Sequence, residues 1–160
     1  MVVGPDGTHG HFLSPTRKGE GTGRAGFLSW TGYPYPDYSS PEERFNLIAS
    51  WALLRCVGAD AIVIEDYAMG AKGRVFHLGE NCGLLKHMLW KRGLPFTTVA
   101  PALLKKHATG KGNADKCAMI RAFEERTGIA ISAAFGGGCG SPVSDLVDSF
   151  YLADYAITRK

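Results

Sequence analysis

The sequence predicts an α/β fold, with helices flanking a mixed sheet that is antiparallel at its start and parallel after it. The stretch Ala61 to Gly70 begins with an apolar, β-branched run that ends in Glu65, which is typical of a strand buried on both faces. Apolar residues recur at helical spacing on either side of this strand, in Pro41 to Cys56 and in Arg74 to Arg92. Two short β-like runs surround the turn signature Pro5-Asp6-Gly7, which predicts a hairpin.

Length and composition predict one globular domain. At 160 residues the chain can build one full hydrophobic core, and its 45% hydrophobic and 21% charged residues are ordinary for a soluble protein. No apolar run approaches the ~20 residues that a membrane span needs, and nothing resembles a signal peptide. The four cysteines form no C-x-x-C pair, so neither a zinc knuckle nor a disulfide framework is indicated. We therefore expect a reducing, cytoplasmic setting.

A glycine motif near the N-terminus is ambiguous. Gly21, Gly23 and Gly26 match G-x-G-x-x-G, but a dinucleotide fingerprint requires a buried strand before them, and Pro15 interrupts that segment. We expect a flexible basic loop instead. The aromatic and proline-rich segment Tyr33 to Tyr38 is predicted to be an irregular connection.

Capping signals define the helices. Ser40-Pro41-Glu42-Glu43 is a capping box with proline at the first helical position. In the second helix Gly79 and Gly83 predict either a very close neighbour, from this chain or a second subunit, or ordinary core packing. The remaining predicted elements are a strand Phe96 to Val99, a helix Pro101 to Ala108, a helix ending at Arg126 before Gly128, a mobile linker Ile129 to Pro142, and a helix Ser144 to Ala156.

Three carboxylates are candidate catalytic and metal-binding residues. Glu65 ends a strand, and Asp145 and Asp148 share one face at the start of the last helix. All three can converge at the carboxyl edge of the sheet, where carboxylate oxygens without His or Cys suit Mg²⁺ or Mn²⁺. Salt bridging of Glu65 and helix-dipole complementarity of the two aspartates are the structural alternatives.

A basic cluster precedes and begins the penultimate long helix. Beside it, Thr109 to Asn113 offers open backbone N–H groups, although the Walker order of residues is missing. The cluster either contacts a phosphate backbone or is a solvated charged face. Its members are Lys105, Lys106, His107, Lys111 and Lys116, against Asp115 alone.

Three ordered motifs resemble a known family. VIEDYAMG, VAPALLKKHATGKGNADK and SDLVDSFYLADYA are similar to segments of the RuvC-type Holliday-junction resolvases, in the form common in bacteriophages, within the ribonuclease H-like superfamily. The resemblance runs from about Pro41 to Ile157. It implies a homodimer that nicks two strands of a four-way DNA junction with Mg²⁺ or Mn²⁺.

The resemblance also implies roles for individual residues. Glu65 matches the family's strand carboxylate, and Asp145 and Asp148 match its C-terminal pair. Lys105 and Lys116 match its DNA-contacting lysines. The segment Arg74 to Arg92 falls where the family has its dimer helix.

One departure from the family concerns its first strand, which ends in a catalytic aspartate. Asp6 is the sole early candidate, but Pro5 and Gly7 make it a turn residue, so we expect a chain that begins after that strand. The sequence thus predicts a metal-dependent, structure-selective DNA endonuclease. A catalytically impaired junction-binding protein and a ribonuclease that acts on RNA–DNA hybrids are the alternatives.

Overall fold

The computed structural model describes residues 2–4, 7–14, 20–67 and 75–158. The chain divides into two compact units, residues 1–35 with 101–160 (the first unit) and residues 36–100 (the second unit). The single domain that the length indicates stays a prediction. None of the helices in the described part of the chain is long and apolar enough to cross a membrane.

The described residues form six strands and six helices. The first unit contains most of the strands and the last four helices; the second contains two helices and two short strands. In chain order they are β1 Val2–Gly4, β2 Gly7–Ser14, β3 Gly21–Ala25, β4 Leu28–Pro34, α1 Pro41–Cys56, β5 Val63–Glu65, α2 Val75–Lys91, β6 Thr97–Val99, α3 Pro101–Thr109, α4 Lys116–Thr127, α5 Ile131–Ala134 and α6 Val143–Thr158.

The first unit is built on a four-stranded mixed sheet with the order β1-β2-β4-β3. β1 and β2 pair antiparallel with Gly4 opposite Gly7, which confirms the predicted hairpin. Residues Pro5 and Asp6 lie outside the described residues. β2 pairs parallel with β4, and β3 pairs antiparallel with β4.

The prediction of a flexible loop at Gly21 to Gly26 is wrong, because this segment forms β3 and its turn into β4. Gly23 lies opposite Trp30, and a Cβ there would come within 2.4 Å of the indole ring. Gly26 adopts φ +56° in the turn, a conformation that glycine adopts without strain. The glycines are therefore explained by the packing and turn of a hairpin. Tyr33 and Pro34 end β4, and irregular backbone follows to Tyr38, as predicted in part.

Helix α6 packs against β2, α3 and α4 through one buried stripe. Apolar and aromatic residues at helical spacing form this stripe, whose burial contributes to the hydrophobic stabilisation of the first unit. The stripe leaves Asp145 and Asp148 off its centre line. Its members are Val143, Leu146, Val147, Tyr151 and Tyr155.

The segment Ile129 to Pro142 is folded, so the prediction of a linker is wrong. Ile129 and Ile131 are buried, and α5 forms within the segment. A disulfide joins Cys139 to Cys117 at the start of α4, which corrects the expectation that no disulfide is present. Because the two cysteines are 22 positions apart in the sequence, only the fold brings them together, and their spacing carries no signal.

The second unit packs α1 against α2 and also contains the parallel pair β5 and β6. Its core centres on Leu53, Ile62 and Leu89. The Ser40 side chain caps α1 by accepting from the Glu43 N–H, as predicted, although the Glu43 carboxylate bonds to Ser39.

Strand β5 is shorter and less buried than its sequence predicts. Val63 and Ile64 are half-buried and Glu65 is exposed, and among the described strands β5 pairs only with β6. The expectation of a strand buried on both faces is therefore wrong for this chain. In α2, a Cβ added at Gly79 or Gly83 would meet Tyr67 at 4.0 Å, which is an ordinary contact.

A charged cluster connects the three long helices of the first unit. Asp154 of α6 accepts two hydrogen bonds from the Arg126 guanidinium, at 2.6 and 2.7 Å, and lies 2.7 Å from His107 Nε2. Burial alone raises the pKa of Asp154, but the hydrogen bonds from Arg126 and His107 outweigh it and hold the pKa below its usual value. A mostly buried carboxylate that accepts from the Arg126 guanidinium and contacts His107 therefore connects α3, α4 and α6.

We predict that Asp154→Asn destabilises the protein by about 1–3 kcal/mol at neutral pH, because it leaves two donors without their charged acceptor. The matched control, Glu125→Gln on the exposed face of α4, should leave the free energy of unfolding within about 0.5 kcal/mol of wild type. Denaturant unfolding measures both.

The contribution of Asp154 to the stability of the fold depends on pH, and its lowered pKa gives the direction of this dependence. A carboxyl pKa that is lowered on folding contributes stability above the pKa of the unfolded chain, and this contribution is lost as pH falls through the folded pKa. The gap between wild type and Asp154→Asn should therefore narrow in acid. A gap that widens in acid would contradict this role for Asp154.

Candidate active site

Two carboxylates lie in the first turns of α6, where the sequence predicts them. Asp145 is exposed and Asp148, three residues later, is half-buried. The buried residues Val143, Leu146 and Val147 fix which side of the helix faces the core. Packing thus determines the positions of both aspartates on one helix face.

Two serine hydroxyls orient the first of these carboxylates. Ser141 Oγ donates to one oxygen of Asp145, and Ser144 Oγ donates to the other at 3.2 Å. Sequence reasoning missed both serines, although their spacing from Asp145 in SPVSD is typical of hydroxyls near a helix start. Asp145 is therefore held in place before any ligand binds.

The second carboxylate is in a setting that disfavours its charge. Burial raises the pKa of Asp148, and the negative charge of Asp145 raises it further. Lys116 and Lys105 act in the opposite direction and lower the pKa, without cancelling the rise. The site is therefore a repelling pair of carboxylates, partly compensated by two lysines from other helices.

The two lysines come from α3 and α4. Lys116 Nζ donates to Ser144 Oγ at 3.4 Å, which connects α4 to the serine beside Asp145. Asp115, the N-cap of α4, accepts from the Ala118 N–H at 2.7 Å and so fixes the helix start that carries Lys116.

The other two lysines that the sequence predicts as DNA-binding residues, Lys106 and Lys111, lie apart from the contact between Lys116 and Ser144. Lys106 is exposed on α3. Lys111 lines an open cleft of about 560 Å³ with Arg121, Glu125 and several alanines. Arg121 is a cation in this cleft that sequence reasoning missed, because it lies outside the basic cluster in the sequence.

Glu65 belongs to the second unit, at the tip of β5, as predicted. Its neighbour Asp66 is anchored by Lys86 at 3.1 Å, and the Asp66 N–H donates to the Val99 carbonyl at 2.8 Å. The chain around Glu65 is thus held to β6 and α2. Convergence of Glu65 with the α6 pair stays a prediction, and Asp6 lies outside the described residues.

The α6 pair fits a hard divalent cation, although the described part of neither unit contains a group of three His, Cys, Asp or Glu that could hold one. Asp145 and Asp148 supply the hard carboxylate oxygens that such a cation prefers. Burial and, after it, repulsion from Asp145 raise the pKa of Asp148, and a bound cation would offset both effects. The residues therefore fit Mg²⁺ or Mn²⁺.

We predict that Asp148→Asn stabilises the metal-free protein by about 1 kcal/mol, a rise of roughly 2–4 °C in Tm, because it removes a charge that burial and Asp145 disfavour. A carboxyl pKa that is raised on folding costs stability as pH rises through it, so the gain should be present at neutral pH and absent in strong acid. Thermal unfolding in EDTA measures the change.

Asp145→Asn is the matched control for this prediction. Its carboxylate is exposed and accepts from two serines, so the same substitution should not raise Tm. A fall in Tm for Asp148→Asn would show that its carboxylate is a structural anchor.

Comparison with known proteins identifies the fold. No protein-family model and no curated protein sequence matches the chain. The chain is similar to a solved structure of RuvC from Thermus thermophilus, with a TM-score of 0.56 and 17% identity over 79% of this chain and 75% of that one. It is also similar to T. thermophilus RuvC in complex with Holliday junction substrate, with a TM-score of 0.55 and 18% identity over 75% and 72% of the two chains. The chain therefore has the ribonuclease H-like fold of RuvC, the fold that its sequence motifs predict.

Proposed function

We propose that the chain is a metal-dependent, structure-selective DNA endonuclease that resolves four-way junctions by phosphodiester hydrolysis. One observation carries the proposal: in a chain with the RuvC fold, Asp148 lies beside Asp145 and within the electrostatic field of Lys105 and Lys116. A site that combines repelling carboxylates with nearby cations suits a metal ion and a phosphate together. The Holliday junction bound by one similar RuvC structure supports the choice of substrate.

Glu65, Asp145 and Asp148 would hold Mg²⁺ or Mn²⁺, and Asp6 is a further candidate. A bound ion of this kind activates water and stabilises the leaving oxygen of a phosphodiester. The chain's own residues prepare the site. Ser141 and Ser144 fix the Asp145 carboxylate.

The lysines would contact the DNA backbone. The charges of Lys105 and Lys116 act on Asp148, so a phosphate bound by these two lysines would lie next to the acidic pair. Lys106 and Lys111 extend the positive surface along α3 and the cleft beside α4. Such contacts position the backbone and carry no sequence information, which suits recognition of a branched shape.

We also propose a homodimer, with α2 at its interface. Phe76, Leu78 and Trp90 of this helix are exposed, Phe76 by 83%. Gly79 and Gly83 leave open space in the described chain beyond Tyr67. Two sites related by a two-fold axis would suit a substrate with two strands to cut.

A four-way DNA junction of this kind is found in the cytoplasm of a bacterial or phage-infected cell, where the chain would act.

A junction-binding protein without cleavage activity is the second candidate. This candidate is favoured because, in the described part of the first unit, Asp145 and Asp148 are not joined by a third residue that could hold a metal ion. The same lysines would then bind DNA, and the metal site would be incomplete.

We predict that Glu65→Gln reduces junction nicking in Mn²⁺ by at least about 100-fold, because a metal ligand is lost. Junction binding should stay equal or become tighter, since a negative charge near phosphates is removed. Glu42→Gln, the same substitution at an exposed position on α1, is the matched control and should cleave as wild type does. Nicking by Glu65→Gln at the wild-type rate would remove Glu65 from the site.

We predict that the Lys105, Lys111 and Lys116 triple alanine variant binds the junction more weakly and loses up to about three counterions from its salt dependence, one for each phosphate contact. Lys91→Ala in α2 removes one cation from outside the cluster and should leave the slope unchanged. Titrations at several salt concentrations measure the slopes. An unchanged slope in the triple variant would return these lysines to a solvated charged face.

A further inference from the structure

The disulfide between Cys117 and Cys139 joins the two segments that supply Lys116 and Ser141. These residues donate to Ser144 and Asp145 at the start of α6. Cys117 is in the first turn of α4, directly after Lys116, which donates to Ser144. Cys139 is two residues before Ser141, which donates to Asp145. The Cα atoms of the two cysteines are 5.2 Å apart. The bond therefore joins the helix that carries Lys116 to the loop that carries Ser141.

The loop around Cys139 is rich in glycine, and backbone hydrogen bonds hold it at Gly136, Gly137 and Gly140. Gly136, Gly137, Gly138 and Gly140 surround this cysteine, all are exposed, and the first two have φ values of +83° and +86°. Glycine has the largest backbone freedom of any residue, so ordering such a loop costs more conformational entropy than usual. A covalent bond at its centre restricts that freedom directly.

We propose that Cys117 and Cys139 form a reversible redox site that controls the acidic pair at the start of α6. In the oxidised state the disulfide holds the loop, and with it Ser141, against α4, so that Asp145 is oriented. In the reduced state the loop is released and the Asp145 carboxylate loses a fixed donor. The part of this inference that concerns cleavage rests on the proposed nuclease function.

Accessibility and location favour a reversible bond over a permanent one. Both cysteines are half-buried, and exposed glycines adjoin Cys139, so a small thiol can reach the bond. The N-terminus of α4 and the neighbouring Lys116 favour Cys117 as the thiolate that leaves when the bond is attacked. An enzyme acting on DNA inside a cell works where thiols are kept reduced, and disulfides that form there are usually redox-responsive.

The chemistry is thiol–disulfide exchange with a dithiol. A thiolate of the dithiol attacks Cys139 Sγ and forms a mixed disulfide as the Cys117 thiolate leaves and takes up a proton. The second thiolate of the dithiol then displaces Cys139, which takes up a proton. Two electrons pass to the protein, which gains two thiols, and the dithiol becomes a disulfide. Oxidised glutathione reverses the reaction.

The test compares the full-length protein after oxidation by oxidised glutathione and after reduction by dithiothreitol. Thiol counting by mass spectrometry reports the bond, hydrogen exchange reports residues 135–146, and junction nicking in Mn²⁺ reports activity. We expect reduction to speed exchange in this segment several-fold and to lower nicking on the order of tenfold, because small displacements of a positioned group are costly.

Two double variants serve as controls. Cys56→Ser with Cys82→Ser keeps the pair and should respond as wild type does. Cys117→Ser with Cys139→Ser should behave as the reduced protein under both conditions.

The outcomes distinguish failure of the redox site from failure of the proposed nuclease function. Absence of the bond after oxidation, equal exchange in the two states, or a response retained in Cys117→Ser with Cys139→Ser would each overturn the redox site. Altered exchange with equal nicking would overturn its control of the acidic pair. Altered exchange with no nicking in either state would support the restraint on the loop and reject the nuclease function instead.

Discussion

The burial of the Asp148 carboxylate beside the charge of Asp145 is the constraint on which the candidate site depends. Two carboxylates on one helix face, one of them half-buried, raise the free energy of the folded chain, and this cost is visible in the raised pKa of Asp148. The structure offsets the cost locally with serine hydroxyls on Asp145 and with the fields of Lys105 and Lys116. An arrangement that costs stability without a ligand and is relieved by a cation is typical of a functional site.

The same helix is held firmly where the chemistry is absent. Tyr151 and Tyr155 continue the buried stripe of α6, and Asp154 ties the helix to Arg126 and His107. These contacts fix α6 relative to α3 and α4, the helices that carry the lysines. Stable packing at the C-terminal half of α6 therefore permits a strained charge arrangement at its beginning.

Sequence reasoning succeeded where the signal is local. Ser40 before Pro41 predicts the start of α1, and Gly128 predicts the end of α4, where it adopts the left-handed conformation. The spacing of Asp145 and Asp148 predicts that they share one face of α6. Each of these signals lies within one helical turn of the feature it predicts.

The sequence could not predict features that depend on distant parts of the chain. The need for Gly23 arises from Trp30 on the neighbouring strand, and the bond from Cys139 to Cys117 arises from the docking of a loop on α4. The burial of β5 was overestimated because an apolar sequence states what a strand can bury and not how many neighbours it has. The serine hydroxyls at Asp145 were missed for a different reason: they are local, but serine near a helix start has many roles.

Junction cleavage is tested most directly by comparing three substrates with the wild-type protein in Mn²⁺: a four-way DNA junction, a linear duplex of the same sequence, and an RNA–DNA hybrid. A metal-dependent junction endonuclease should make paired nicks in the junction, cleave the duplex and the hybrid little or not at all, and cleave no substrate in EDTA. Tight binding of the junction without nicking would contradict the enzymatic claim and favour the junction-binding alternative. Preferential cleavage of the hybrid would contradict the choice of substrate.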